Sequence, residues 1–356
     1  MKGKKLARRD FLKCAGLAAP LILGNASALA MGKTPVQTHP YLIKPVRLQF
    51  GDVLAIVAPA SAPDDPADID RYAAAIENRG FKPKLAPNVR KRLGFLSGDD
   101  QSRADDLMAM FADPEVKGII CARGGYGSAR LLRMLDYHLI KQHPKVFIGF
   151  SDITALHSAL QIHSQLVTFH GPTLNTEITS APSWEFSVQS LLKTVMQPSA
   201  PGGICDDNAR KAVKILRGGI AKGPLVGGNL SMLASLMGTP YQPRFKDAIF
   251  FFEDVDEEPY RFDARLTQLL NAGLLQQAAG VAVGTNKNCE GAAAASKEYH
   301  QTLEDVLKDR LLPLGVPVVT GLPFGHVPNN ATLPLGLEAT LDAANGDLVI
   351  DEAAVV

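Results

Sequence analysis

The amino-acid sequence predicts an α/β protein whose amino-terminal half contains a doubly wound parallel sheet. From about residue 50 to residue 170, short apolar runs alternate with helical stretches, which is the β-α-β-α order of such a sheet. The chain has 356 residues, of which 46% are hydrophobic and 21% are charged. That length and composition allow a sizeable core in one large or two medium domains, and they exclude a disordered, collagen-like or coiled-coil chain.

The first predicted strand, residues 53–57, is an apolar run followed by Ala58-Pro59, as expected for a buried strand. Similar runs predict strands at 82–85, 116–122, 146–150 and 166–169, with helices at 67–78, 99–111, 129–135 and 153–163. Residues 181–215 interrupt this order with prolines, glycines and two charged clusters, which indicates a linker or a peripheral excursion.

A second unit follows the interruption. Its predicted elements are helices at 230–237 and 261–272, strands at 248–252, 280–283 and 316–319, and a hairpin of 337–342 with 347–351 around Asn345-Gly346. We therefore expect an amino-terminal domain over 45–180, a linker over 181–215 and a carboxy-terminal domain over 216–356.

The first thirty residues predict an export signal. Six basic residues come before or within a segment, ARRDFLK at 7–13, that resembles a twin-arginine signal. An uncharged stretch follows and ends at Ala28-Leu29-Ala30, the small-x-small pattern of a signal-peptidase site. The stretch is too weakly apolar for a good membrane span. An ordinary secretory signal or an uncleaved anchor is the alternative, and the predicted location is the periplasm or the cell exterior.

Removal of residues 1–30 takes away six basic residues and one acidic residue, so the formal net charge falls from +1 to about −4. A mildly acidic protein has no electrostatic basis for binding nucleic acid or an anionic membrane. The three remaining cysteines, Cys121, Cys205 and Cys289, form no CxxC pair, so neither a zinc site nor a disulfide framework is predicted, although one disulfide stays open. We expect no metal and no cofactor.

The segment CARGGYGSARLL, residues 121–132, places a serine between a predicted strand and a predicted helix. Small residues allow the sharp turn of a nucleophile elbow, which would expose the hydroxyl of Ser128 at the edge of the sheet. The sequence therefore predicts Ser128 as a nucleophile, with the backbone N–H of Ala129 as an oxyanion donor.

Three other interpretations of this segment stay open. Ser128 could serve only as the N-cap of the following helix, and the turn could be purely structural. The glycines could also hold a dinucleotide, but Arg130 occupies the third glycine position of the G-x-G-x-x-G fingerprint, which disfavours that interpretation.

A nucleophilic serine needs a base, and the base needs an orienting acid. His170 and His326 each follow an apolar strand and have a glycine neighbour, and for His170 a structural role is the preferred interpretation. Glu253 ends the run AIFFF at 248–252, where a buried carboxylate needs a partner such as a histidine N–H. The acidic residues after Glu253 could instead form a solvated turn, and they lack the EF-hand calcium pattern.

Together these segments resemble the LD-carboxypeptidase family of serine peptidases, which includes the murein tetrapeptide carboxypeptidases and the microcin-immunity peptidases. The matching blocks run in family order from about residue 50 to residue 340. They are GDVLAIVAPAS (51–61), RGGYGSARLL (123–132), GFSDITALH (149–157), TFHGP (168–172), GGNLSMLASLMGTP (227–240), FFEDVDEEPYRFDARLTQL (251–269) and GLPFGHVPNNATLPLG (321–336).

The resemblance implies a Ser-Glu-His triad of Ser128, Glu253 and His326, and it suggests Gly98 as a second oxyanion donor. It also implies a Rossmann-like amino-terminal domain, a smaller β-rich carboxy-terminal domain and a homodimer. Recycling enzymes of this family are cytoplasmic, so the predicted leader favours periplasmic peptidoglycan or its fragments instead.

The substrate that the resemblance implies is a murein tetrapeptide, whose terminal carboxylate needs a cation. Arg123 and Arg130 flank the glycine-rich turn and could supply it, although a salt bridge is the alternative, particularly for Arg130. We expect Tyr126 to shape the same site. Two other functions stay open: a microcin-immunity peptidase that cleaves an aminoacyl-nucleotide conjugate, and a non-catalytic exported peptide-binding protein.

Overall fold

Two β-sheets organise the part of the chain that the computed structural model describes, residues 42–175, 185–290 and 301–356. The predicted export signal lies outside these residues. Within the described ranges, no helix has both the length and the apolar character needed to cross a bilayer.

The first sheet contains five parallel strands. In chain order they are β1 (Val53–Val57), β2 (Lys82–Leu85), β3 (Val116–Cys121), β4 (Val146–Gly149) and β5 (Phe169–His170). The connecting helices are α1 (Asp68–Asn78), α2 (Asp100–Ala112), α3 (Tyr137–Gln142) and α4 (Thr154–Ala159). The strands lie in the order β5-β4-β3-β1-β2, so the chain winds outward in both directions from β1. The predicted doubly wound sheet is confirmed.

The second sheet has a parallel centre and antiparallel flanks. Its strands are β6 (Gly202–Gly203), β7 (Lys214–Arg217), β8 (Ile220–Asn229), β9 (Ile249–Glu253), β10 (Gly280–Thr285), β11 (Val318–Gly325), β13 (Glu338–Asp342) and β14 (Asp347–Ile350). They lie in the order β6-β14-β13-β8-β9-β10-β11-β7, and the strands from β8 to β11 are parallel. The antiparallel pair β13–β14 is the hairpin that the sequence predicts.

Alternate side chains of β9 enter two different cores. Phe250 and Phe252 pack in one hydrophobic cluster together with the helices Pro259–Asn271 and Leu303–Leu311, whereas Phe251 packs in another. Both faces of the strand are therefore buried, which explains why its sequence is continuously apolar. Glu253 ends this buried strand and is itself fully buried.

The carboxy-terminal half returns to the first sheet. Strand β12 (Leu333–Pro334) pairs antiparallel with β5. Within the segment 181–215, predicted as a linker, helix α5 (Glu185–Met196) contributes Val188, Leu191 and Val195 to the core of the first sheet. Much of that segment therefore packs into the folded body instead of forming an extended connection.

Two histidines are buried, His157 on α4 and His170 on β5. Burial disfavours a charged imidazole, and it lowers the pKa of His157 to about 3 and that of His170 to about 4. An unfolded histidine has a pKa of about 6.5, so below that pH the unfolded chain binds more protons than the folded chain. Their contribution to stability is present above pH 6.5 and is lost as the pH falls, towards 4 for His170 and towards 3 for His157.

His170→Gln should weaken this acid sensitivity, because glutamine does not titrate. Between pH 7.5 and pH 5.0, the free energy of unfolding of the wild type should fall by about 2 kcal/mol more than that of the variant. Urea unfolding at both pH values measures the difference. His143→Gln, which changes an exposed histidine, serves as control. Equal pH dependence in the wild type and His170→Gln would contradict a neutral buried imidazole at this position.

Candidate active site

A serine, a histidine and a glutamate meet where the carboxyl ends of the two sheets face each other. Ser151 follows β4 of the first sheet, and Glu253 and His326 lie at the ends of β9 and β11 of the second sheet. Nδ1 of His326 lies 2.7 Å from Oε2 of Glu253, and Nε2 lies 3.0 Å from Oγ of Ser151. Because an ionised carboxylate can only accept hydrogen bonds, the Nδ1–H group donates to Glu253. Nε2 is then unprotonated and accepts a hydrogen bond from the serine hydroxyl.

The backbone of Ser151 adopts a conformation that holds its hydroxyl out of the sheet. Its φ angle is +62°, which a non-glycine residue rarely adopts, and a short 3₁₀ turn (Ser151–Ile153) leads directly into α4. A strand, a strained serine and a helix in this order form a nucleophile elbow. Ser151 is therefore placed as an activated serine nucleophile requires.

The predicted pairing of His326 with Ser128 is wrong. Ser128 is fully buried, and its hydroxyl donates to the backbone oxygen of Asp152 at 2.6 Å. It begins a short 3₁₀ helix (Ser128–Leu131), so the glycine-rich turn does end in a serine before a helix, but that serine faces inward. The signal that points to Ser151 is GFSDI at 149–153, which has the strand, G-x-S and helix order of an elbow without its second glycine.

Glu253 and His326 do come together as the sequence predicts. Burial alone would raise the pKa of the Glu253 carboxyl, but the charge and hydrogen bond of His326 outweigh it and hold that pKa below its ordinary value. The Nδ2 group of Asn229, at the end of β8, lies 3.3 Å from Oε1 of Glu253 and 2.9 Å from Oδ1 of Asp254. Asn229 thus orients both carboxylates.

The oxyanion donor predicted at Ala129 needs correction because it depended on Ser128, whereas Gly98 was suggested by the family resemblance. With Ser151 in the elbow, the next residue is Asp152 and not Ala129. The backbone of Gly124 adjoins the serine, since a Cβ added there would lie 2.9 Å from Cβ of Ser151. A Cβ at Gly98 would instead meet Lys91 and Ser102, at the start of α2. Amides of Asp152 and of the turn at Gly124 are therefore the geometric candidates.

The glycine-rich turn is fixed to the elbow by the buried carboxylate of Asp152. This carboxylate accepts the N–H groups of Gly127 at 3.3 Å and Ser128 at 2.8 Å. Burial raises the pKa of Asp152, and these hydrogen bonds oppose the rise. The residue after Ser151 thus holds the turn that borders Ser151.

Arg103 on α2, whose side chain is buried, also holds the glycine-rich turn in place. One of its nitrogens, Nη1, donates to the backbone oxygens of Pro59 at 2.5 Å and Gly127 at 3.0 Å, and its Nη2 pairs with Asp100. A buried guanidinium therefore ties the loop after β1 to the turn after β3.

The three predicted substrate-binding residues have different surroundings. Arg130 is exposed and pairs with Asp100 at 2.9 Å, which is the salt-bridge alternative. Arg123 donates to the backbone oxygen of Ala62 at 3.1 Å and pairs with Asp64 at 2.8 Å. Tyr126 is 54% exposed at the edge of the turn. Among the described residues, no three metal-ligating side chains cluster as an ion site requires.

The hydrogen-bonded serine, histidine and glutamate, carried on an α/β fold, define the class of serine-type hydrolases. Residues 54–171 match the LD-carboxypeptidase N-terminal domain, and residues 222–341 match the LD-carboxypeptidase C-terminal domain. The chain belongs to the LD-carboxypeptidase family, which confirms the resemblance found in the sequence, and it is a serine-type carboxypeptidase.

Similar proteins support the same assignment. The probable murein peptide carboxypeptidase of Bacillus subtilis is 38% identical over 315 residues, covering 86% of this chain and 94% of that protein. The murein tetrapeptide carboxypeptidase of Pseudomonas aeruginosa is 32% identical, covering 81% and 92%. The solved muramoyltetrapeptide carboxypeptidase of Oxalobacter formigenes is 30% identical with a TM-score of 0.73, covering 84% and 99%. The microcin C7 self-immunity protein shares the fold, with a TM-score of 0.77 over 88% of this chain and 100% of its own at 23% identity.

Arg103→Met should destabilise the protein by about 3 kcal/mol, because it removes the buried guanidinium and leaves two buried carbonyls without their donor. Arg130→Met is the matched control: it removes the exposed arginine that shares Asp100, and it should cost less than about 1 kcal/mol. Urea unfolding of the three proteins measures both effects. A similar loss of unfolding free energy in the two variants would show that the buried guanidinium of Arg103 does not stabilise the fold more than the exposed Arg130 does.

Proposed function

We propose that this chain removes the carboxy-terminal D-alanine from murein tetrapeptides, with Ser151, His326 and Glu253 as its catalytic triad. The observation that carries the proposal is the continuous hydrogen-bonded chain from the hydroxyl of Ser151 through His326 to Glu253. The names of the similar carboxypeptidases supply the substrate class.

The reaction begins with attack of the Ser151 hydroxyl oxygen on the carbonyl carbon that precedes the terminal D-alanine. His326 takes the hydroxyl proton on Nε2 and then gives it to the leaving amine of D-alanine. A water molecule, activated by the same nitrogen, hydrolyses the acyl-enzyme. In this proposal, the N–H of Asp152 and an N–H of the turn at Gly124 stabilise the oxyanion of each tetrahedral intermediate.

Glu253 supports the base in two ways. Its hydrogen bond to Nδ1 fixes the tautomer that leaves Nε2 able to accept a proton. Because the pKa of its carboxyl is held low, Glu253 stays ionised at neutral pH and stabilises the imidazolium that forms during the reaction. Asn229 keeps the carboxylate in place through its bond to Oε1.

Sequence identity to similar proteins favours murein peptides as substrates over the aminoacyl-nucleotide conjugates of a microcin-immunity peptidase. The two murein carboxypeptidases are 38% and 32% identical to this chain, whereas the microcin C7 self-immunity protein of Escherichia coli is 26% identical. An aminoacyl sulfamoyl adenosine, the type of ligand bound in a solved structure of that immunity protein, provides the comparison substrate.

We also propose that the protein acts outside the cytoplasm. The basic leader with ARRDFLK at 7–13 and the Ala28-Leu29-Ala30 site support export of a folded enzyme. Peptidoglycan or its released fragments would then be the substrate.

Ser151→Ala should lower kcat by roughly 10⁴-fold or more, because it removes the attacking oxygen. Ser128→Ala, its matched control, removes one buried hydrogen bond from the turn and should lower kcat only severalfold. Mass spectrometry of D-alanine release from a murein tetrapeptide measures both. Loss of activity confined to Ser128→Ala would restore Ser128 as the nucleophile, as the sequence predicts. Release of nucleoside from the aminoacyl sulfamoyl adenosine, without release of D-alanine from the tetrapeptide, would favour the immunity activity.

Changing both Arg8 and Arg9 to Lys should retain the protein in the cytoplasm, because lysine pairs do not normally replace the twin-arginine signal. Fractionation followed by immunoblotting measures the location. A Lys4→Arg variant is the control, because it exchanges lysine and arginine in the leader outside the twin-arginine segment. Unchanged export of the double variant would indicate an ordinary secretory signal.

A further inference from the structure

Three large apolar side chains lie exposed in the loops at the carboxyl edge of the first sheet, and the proposed reaction uses none of them. Leu93 is 57% exposed, Phe95 62% and Tyr126 54%. The rings of Phe95 and Tyr126 form an edge-to-face pair with centroids 5.5 Å apart. We call these two side chains the aromatic pair.

Both loops hold the aromatic pair firmly in this exposed position. Leu93 and Leu96 exchange backbone hydrogen bonds of 2.9 and 3.0 Å, which forms a tight turn with Phe95 near its tip. Leu96 is buried and contacts Gly127, and the N–H of Tyr126 donates to Oγ of Ser61 at 3.0 Å. Because both turns are hydrogen-bonded and the adjoining Leu96 and Gly127 are buried, the exposure of the two rings is a fixed feature of the surface. Fixed, exposed aromatic side chains are typical of binding sites.

The aromatic pair also lies near the reaction centre. Gly124 borders Ser151, and Tyr126 is two residues further along the turn, so the backbones of Gly124 and Tyr126 are within about 7 Å of each other. The ring of Phe95 lies 5.5 Å from the ring of Tyr126. The aromatic pair therefore lies beside the turn that borders Ser151.

The chemistry of the proposed substrate identifies what such rings can bind. A murein stem peptide has small or charged side chains, and none of them presents a broad apolar face. The amino sugar at its amino end does, because one face of the sugar ring exposes C–H groups that pack on the electron-rich face of an aromatic ring. That sugar lies three residues from the bond that is cleaved, so a site for it must lie beside the reaction centre and not within it.

We propose that the aromatic pair of Phe95 and Tyr126 is a binding subsite for the N-acetylmuramic acid ring of a sugar-bearing stem peptide. This inference rests on the proposed murein activity. The charged neighbours suit the assignment: Arg92 and Arg123 lie at this edge, and both donate to Asp64, at its backbone oxygen and its carboxylate respectively. Two guanidinium groups disfavour a cationic ligand, whereas a neutral sugar with its attached acidic peptide is compatible with them.

The test compares two substrates, a free murein tetrapeptide and the same tetrapeptide with N-acetylmuramic acid at its amino end. In the wild type, kcat/KM should be about three- to tenfold higher for the sugar-bearing substrate. Phe95→Ala should bring this ratio close to one, and Phe95→Tyr should preserve it. Phe50→Ala is the matched control, since Phe50 is 69% exposed but lies before β1, at the opposite edge of the sheet.

Calorimetric binding to Ser151→Ala protein gives a second measurement that does not require turnover. The sugar-bearing tetrapeptide should bind more tightly than the free one, and adding Phe95→Ala should remove the difference. Equal affinities, or a ratio that Phe95→Ala leaves unchanged, would overturn the subsite. A change of molecular mass on light scattering with Phe95→Ala would also overturn it, because the pair would then belong to an interface between copies. Failure of the wild type to cleave either substrate, with sugar-dependent binding intact, would reject the proposed reaction and keep the subsite.

Discussion

The hydrogen bond between Ser151 and His326 is the contact on which the proposed reaction depends, and its two ends belong to different sheets. Ser151 follows a strand of the first sheet, and His326 follows a strand of the second. A hydrogen bond of this kind tolerates only a few tenths of an ångström of misplacement. The packing between the two sheets must therefore be as exact as the packing within them.

Several features of the fold serve that requirement. Strand β12 comes from the carboxy-terminal half and pairs with β5 of the first sheet, and α5 packs into the first core before the chain enters the second sheet. Thr154, next to the elbow, accepts the N–H of Asn229 at 3.0 Å, so the elbow and the residue that orients Glu253 are bonded directly. These contacts leave the two halves little freedom to slide past each other.

The glycine-rich turn has a supporting role that its sequence conceals. Gly124 lies against Ser151, Asp152 holds the amides of Gly127 and Ser128, and Arg103 holds the carbonyl of Gly127. The glycines allow close approach to the elbow, and Ser128 closes the turn by bonding to Asp152. The same rigid turn presents Tyr126 to solvent, so one segment borders the serine and also forms the surface beside it.

The sequence alone determined the α/β class, most strand positions, the family, and two of the three hydrogen-bonded residues. Glu253 and His326 were predictable because a carboxylate ending a buried strand needs a partner and because a histidine flanked by glycine follows another strand. The choice between Ser128 and Ser151 was not, since each serine follows an apolar strand and precedes a helical turn. Only the tertiary structure decided it: the direction of a hydroxyl depends on the local φ angle and on which strand end faces the second sheet, and neither is encoded in the spacing of residue types.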